Sequence, residues 1–383
     1  MALVFAPVSF ARIFLIPLMG PIGDSCSRKT IVIISDLWRG AMFIVLAAMA
    51  KFDIFNLPLV VLLLMLTTAG TALFTSISGS IVTQLVKKED LSAAIERSTF
   101  IVSVGSLAGG LVGGIALNYV GVMGAFVINA VSFLVAAAAS FYMRPMVLPA
   151  PHSGRAGGAL KAWTQQLKAG FSVVFNIPLQ LWLCVLLAFI NLAASPLNMA
   201  LPALVKDSHN LSPGFIGVLN SAMGAGTILG SLIVGWMCSR MHSDIVVSLG
   251  IGLIGASMAA LFVVPGTYLV IAVMLALGLA TMLVNVPLSV KLMAATPDNF
   301  RSRVGSVSSF MSQAAVPIGT ALTGVMIAAC GMKLMMIVAG AAIVLSAPLL
   351  FYIPRFSAFF RMPEPDTHDF FLKNYPEVFS RHQ

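Results

Sequence analysis

The chain has 383 residues and a formal net charge of +9, yet only 9% of its residues are charged and 59% are hydrophobic. A water-soluble domain carries about 25% charged residues, and the apolar residues here come in blocks of about 20 or more, the length that crosses a hydrocarbon core of roughly 30 Å. Soluble architectures are excluded on this ground. The basic residues also argue against a nucleic-acid partner, because they lie between the apolar blocks instead of forming one patch, as in loops that face anionic headgroups.

Eleven transmembrane helices are predicted, at about 2–20, 31–50, 57–85, 97–118, 122–143, 176–204, 213–240, 244–264, 267–291, 302–329 and 332–353. In lipid only α-helices or a closed barrel satisfy every backbone polar group, and continuous apolar runs lack the alternation of barrel strands. The fold class is therefore an all-α membrane protein. Residues 1–143 form an N-terminal half of five helices and residues 176–353 a C-terminal half of six. Between them, residues 144–175 open with a Pro/Gly/Ser-rich linker and close on an amphipathic helix from Ala159 to Phe175, with Leu160, Trp163, Leu167 and Phe171 on one side. The tail, 354–383, mixes Phe356, Phe359, Phe360, Phe370 and Phe371 with charges and reads as a membrane-surface segment.

Most of the Lys and Arg residues fall in one set of loops, which leaves only Lys51, Lys206 and Lys333 in the other. The first set is cytoplasmic by the positive-inside rule, so the tail ends inside the cell. Cys26, Cys184, Cys238 and Cys330 form no CxxC pair, and no Walker A, HExxH, GxSxG or dinucleotide fingerprint occurs. No enzyme activity, cofactor or metal is expected, and the energy source is an ion gradient rather than ATP.

The halves repeat one another. At a fixed offset of 210 residues Gly109 matches Gly319, Gly114 matches Gly324, Gly121 matches Gly331, and Phe141-Tyr142 matches Phe351-Tyr352. Parallel repeats on either side of a central loop are a transporter architecture, with substrate held near the midplane.

The loop Gly20-Pro21-Ile22-Gly23-Asp24-Ser25-Cys26-Ser27-Arg28-Lys29 resembles the signature loop of the major facilitator superfamily. In the helix that follows, Asp36-Leu37-Trp38-Arg39 resembles the drug and siderophore exporter branch, with its macrolide efflux proteins and the enterobactin exporter. Thr296-Pro297-Asp298-Asn299-Phe300-Arg301-Ser302-Arg303-Val304 is similar to that branch's loop before the eleventh helix, and Pro317-Ile318-Gly319 fits the helix itself. The resemblance covers nearly the whole chain and implies a bundle of two pseudo-repeated halves. The family has twelve helices and its signature loop follows the second. Here the loop follows the first, so the chain reads as lacking the family's first helix.

The resemblance implies a cytoplasmic gate made by Gly20, Asp24, Arg28 and Lys29, although a helix cap and topology signal explains the same residues. Asp36 and Arg39 lie one turn apart inside an apolar block, where a lone charge costs at least about 2.5–3.5 kcal/mol. They read as a structural ion pair, with proton or charge coupling as the alternative. Arg12 sits mid-block and is left to pair with Asp36, with an acid on the absent helix, or with an anionic substrate. Gly105, Gly109, Gly113 and Gly114, with Gly319 and Gly324, read as close helix packing. Asn191, Asn198, Asn285 and Gln313 are candidate substrate-cavity residues, although amides in such helices more often bond a neighbouring helix.

The leading functional expectation is a monomeric, proton-coupled exporter of a small neutral or anionic molecule, siderophore or antibiotic, in a bacterial inner membrane. An importer of a metal chelate or lysophospholipid on the same fold is the first alternative. A non-transporting fragment or membrane scaffold is the second.

Overall fold

The structure is a computed structural model. It describes residues 7–12, 27–54, 56–85, 119–143, 168–205, 214–363, 367 and 369–380, together with isolated positions before residue 16 and between 101 and 117. Eight stretches among the described residues are long and apolar enough to cross a membrane. The chain divides into two compact units. The first comprises mainly Leu3–Gly105 and Val112–Trp163, the second mainly Thr164–Gln383.

In the first unit, α1 (Arg28–Lys51) packs against both α2 (Leu57–Leu85) and α3 (Gly121–Phe141). Ser27 caps α1 by accepting from the Thr30 amide at 3.2 Å. Along α2 the hydroxyls of Thr67, Thr68, Thr71 and Thr75 each donate to the carbonyl four residues back. These bonds satisfy side-chain polar groups that lipid cannot. Most of α3 turns its apolar surface outward, where a water-soluble core would bury it.

The second unit holds α4 (Pro178–Ala194), α5 (Leu197–Ala203), α6 (Phe215–Arg240), α7 (Ser243–Ala260), α8 (Thr267–Ala295), α9 (Asp298–Gln313) and α10 (Ala315–Ser346). A 3-10 turn, Ala347–Tyr352, closes α10. Close packing here depends on glycine: a Cβ on Gly230 of α6 would stand 2.8 Å from the Leu279 carbonyl of α8, and one on Gly255 of α7 would stand 2.5 Å from the Gly340 carbonyl of α10.

The observed elements differ from the sequence expectations in four places. The single helix expected at 176–204 is two, broken at Ser195-Pro196. Pro196 has no amide hydrogen for the Leu192 carbonyl, and the amide and hydroxyl of Ser195 take that acceptor instead, at 3.3 and 2.7 Å. The helix expected at 302–329 starts at Asp298 and is interrupted at Ala314, three residues before Pro317. Residues 168–176, the described end of the expected amphipathic helix, pack on α9: Val173 and Val174 are fully buried and a Cβ on Gly170 would stand 2.8 Å from the Arg303 carbonyl. The remainder of the linker, 144–167, lies outside the described residues.

The tail is the fourth correction. Its aromatics do not lie out on a membrane surface. The short helices α11 (Phe356–Arg361), α12 (Phe370–Asn374) and α13 (Pro376–Ser380) turn Phe356, Phe359, Phe360, Phe371 and Phe379 inward, each at most 1% exposed. They join the same apolar cluster as Val247 of α7, Leu288 of α8 and Val304 of α9. Aromatics mixed with charges suit an interface or a core cap equally well. Five fully buried rings decide for the cap.

The internal match at 210 residues has a backbone counterpart. Gly121 and Gly331 both take positive φ, 66° and 77°, which L side chains rarely adopt. Gly121 opens α3, which runs to Phe141, and Gly331 breaks α10 where a second helical stretch begins that continues through the 3-10 turn to Tyr352.

Candidate functional site

Among the described residues, the charges buried in the first unit sit on α1. Asp36 and Arg39 are 4% and 9% exposed, and they form an i, i+3 ion pair between Arg39 Nη2 and Asp36 Oδ1. Arg39 Nε donates to the Ser35 carbonyl at 3.2 Å. Its guanidinium carbon lies 4.5 Å from the ring centre of Phe133 on α3 and 5.2 Å from that of Phe74 on α2. Three helices thus build a box around one cation, with a carboxylate at one side and ring faces at two others. Gly70 of α2 makes the room: a Cβ there would stand 2.9 Å from Arg39 Cγ. The neighbouring Trp38 ties α1 to α2 by donating from Nε1 to the Leu66 carbonyl at 2.7 Å.

At the N-terminus of the same helix, Lys29 Nζ donates to the carbonyls of Phe141 and Met143, at 2.6 and 2.8 Å. The Phe141 carbonyl is the last of α3, where a helix leaves its acceptors unpaired, and Met143 lies just past the C-cap Tyr142; a cation there also meets the negative end of the helix dipole. Arg28 is part-buried at the first position of α1. Gly20 and Asp24 lie outside the described residues. Arg12 is exposed, and the ion-pair partner the structure gives Asp36 is Arg39.

In the second unit the amide of Asn191 donates from Nδ2 to the Ser312 carbonyl at 3.0 Å, a bond from α4 to α9. Gln180, absent from the sequence expectations, makes the same kind of tie: it is 3% exposed and donates from Nε2 to Ser308 Oγ at 2.8 Å. Asn285 and Gln313 are exposed. The side chain of Asn198 lies outside what is described. Asp244, at the start of α7, is fully buried and pairs with Arg361 at 2.8 Å.

The glycines separate into two groups. Gly319 is a packing glycine, because a Cβ there would stand 2.5 Å from the Leu192 carbonyl, at the break between α4 and α5. At Gly105, Gly109 and Gly113 a Cβ would meet nothing within 4 Å among the described residues. Glycine permits a close approach without requiring one, and run density alone does not tell the two cases apart. Gly114 lies outside the described residues, and Gly324 is half-buried in α10.

Phe74, Phe133 and Gly70 were not legible from the sequence. They lie on two other helices, and nothing in a linear pattern says which helix faces Arg39. With 25 phenylalanines in the chain, the presence of a ring singles out no one helix.

Apolar helices long enough to cross a membrane, with the Asp36–Arg39 charges paired and Gln180 and Asn191 bonded between helices, define a multi-pass integral membrane protein. Comparison with known proteins completes the assignment. Residues 1–376 match the family described as transmembrane secretion effector, and the chain belongs to that family, within the major facilitator superfamily. It is 23% identical over 357 residues to the MFS-type transporter YfiS of Bacillus subtilis, itself uncharacterized, covering 90% of this chain and 82% of that protein. Among solved structures it is similar to the nucleoside transporter NupG, with a TM-score of 0.72 at 14% identity, covering 94% of this chain and 90% of that one. The protein is a membrane transporter of the major facilitator type and not an enzyme.

Proposed function

We propose that the chain exports a small organic molecule, of siderophore or antibiotic type, by proton-coupled alternating access in a bacterial inner membrane. The observation that carries the direction of transport is the match to a secretion family over residues 1–376. For coupling, Asp36 is the carboxylate that lies well inside a membrane-spanning helix among the described residues. A proton on Asp36 would remove the counter-charge of Arg39 and leave that guanidinium held by the Ser35 carbonyl and two rings. The signature-loop residues Gly20, Asp24, Arg28 and Lys29 form the gate in this reading, and the hold of Lys29 on the end of α3 is what a movement of that gate would break.

Neutral or anionic substrates suit this chain, because a desolvated cation needs a buried acid and Asp36 is already committed to Arg39. In the second unit Asn285 and Gln313 are exposed and, with Asn198, are the proposed substrate contacts, while Asn191 is occupied by the Ser312 carbonyl; Arg12 of the first unit is exposed and is proposed separately as the counter-charge of an anion. The protein works as a monomer with its C-terminus in the cytoplasm.

The test is accumulation of labelled siderophores and macrolides in cells lacking their own efflux pumps, with and without a protonophore. Export predicts lower accumulation on expression, restored by the protonophore. Accumulation that rises with expression refutes export. Strong resistance to a permanent cation such as ethidium, unaffected by Arg12→Ala, refutes the substrate assignment.

A further inference from the structure

The aromatic tail supplies an observation that transport does not use. Asp244 is completely buried at the first turn of α7, where its Oδ1 accepts from the Ile245 amide at 2.9 Å. Its other oxygen takes Nε of Arg361, the last residue of α11, at 2.8 Å. A buried carboxylate requires such a partner, and this one comes from 117 residues further along the chain. Two more bonds fasten the tail at the same end of the second unit. Lys291 of α8, 7% exposed, donates to the Met362 carbonyl, and the Asp369 amide donates to the Ala294 carbonyl at 3.0 Å. Phe379 meets Phe300 of α9 edge-on at 5.1 Å.

These anchors reach the first turn of α7 and the corner at which α8 passes through Thr296-Pro297 into α9, two places that no short loop joins to each other. We propose that Phe356–Met362 and Phe370–Ser380 form a detachable strap, keyed by Arg361 on Asp244, which holds the start of α7 to the α8–α9 corner and lets the two part when it is released. The strap is independent of what the protein carries and of the direction in which it carries it.

The experiment uses the full chain in lipid nanodiscs and two readouts. The first is the rate of trypsin cleavage after Lys373, an exposed residue inside α12 that becomes a good substrate only when the strap lifts. The second is the rate of maleimide modification at Cys238, quantified by mass spectrometry. Cys238 lies near the end of α6 and packs with Val246 of α7 and Leu283 of α8. Arg361→Gln strands the Asp244 carboxylate, so cleavage should rise at least tenfold and Cys238 modification several-fold. Adding Asp244→Asn removes the stranded charge and should return most of both effects. If Arg361→Gln does not accumulate, the double variant should, for the same reason. Wild-type cleavage in Arg361→Gln overturns the proposal. So does a double variant no better than Arg361→Gln, or fast cleavage with unchanged Cys238 reactivity.

Discussion

Replacing Arg39 by methionine tests the box on α1 most directly. Methionine keeps the length and apolar character of the stem but removes the cation, leaving Asp36 charged, 4% exposed and without its ion-pair partner. Breaking a buried pair from one side costs about 3–5 kcal/mol. Loss of the two ring contacts, at 4.5 and 5.2 Å, adds about 0.5–2 kcal/mol. The reverse change, Asp36→Asn, is milder, because Arg39 keeps the Ser35 carbonyl and both rings. The double variant leaves no uncompensated charge and should recover most of the loss. The expected order of folded yield is therefore wild type, then the double variant and Asp36→Asn, then Arg39→Met. Thermal unfolding of the purified protein, followed by the monodisperse fraction on size exclusion, measures it. A double variant whose loss equals the sum of the two single losses would show that the residues do not act as a pair.

Two further substitutions address the packing and the helix ends. Gly319→Ala pushes a methyl group against the Leu192 carbonyl, at 2.5 Å before relaxation. It should lower stability by about 1–3 kcal/mol, as overpacking does. Gly105→Ala, with nothing within 4 Å of its Cβ among the described residues, should leave it unchanged or raise it by up to about 1 kcal/mol; equal thermal shifts for the two would remove the distinction drawn between these glycines. Lys29→Ala strips two donors from the end of α3 and should cost about 1–3 kcal/mol. Hydrogen exchange at residues 138–143 should rise with it, and unchanged exchange there would mean the contacts carry no weight.

The membrane bundle was legible in the sequence because lipid imposes length and apolarity on every span. Apolarity says nothing about breaks within a span: the interruption at Ser195-Pro196 depends on which carbonyl the proline leaves unpaired and on what takes it up. The pairing of Asp36 with Arg39 could be read because i, i+3 geometry is local. The rings around Arg39 could not be, because they depend on how α1 meets α2 and α3. Asp244 illustrates the same limit more sharply. A carboxylate at a helix N-terminus explains itself by the helix dipole, so nothing in the sequence calls for a second partner, and only its complete burial reveals that Arg361 is needed. Gly121 and Gly331 show the converse. Glycine matches at a fixed offset are weak in a chain with 32 glycines, because packing glycines such as Gly230 and Gly255 recur throughout the helices wherever two backbones approach. A glycine held at positive φ cannot be exchanged without strain. That the offset of 210 residues joins two glycines of this second kind, each opening a helical stretch that ends on Phe-Tyr, gives the repeat a physical cause that the letter matches lacked.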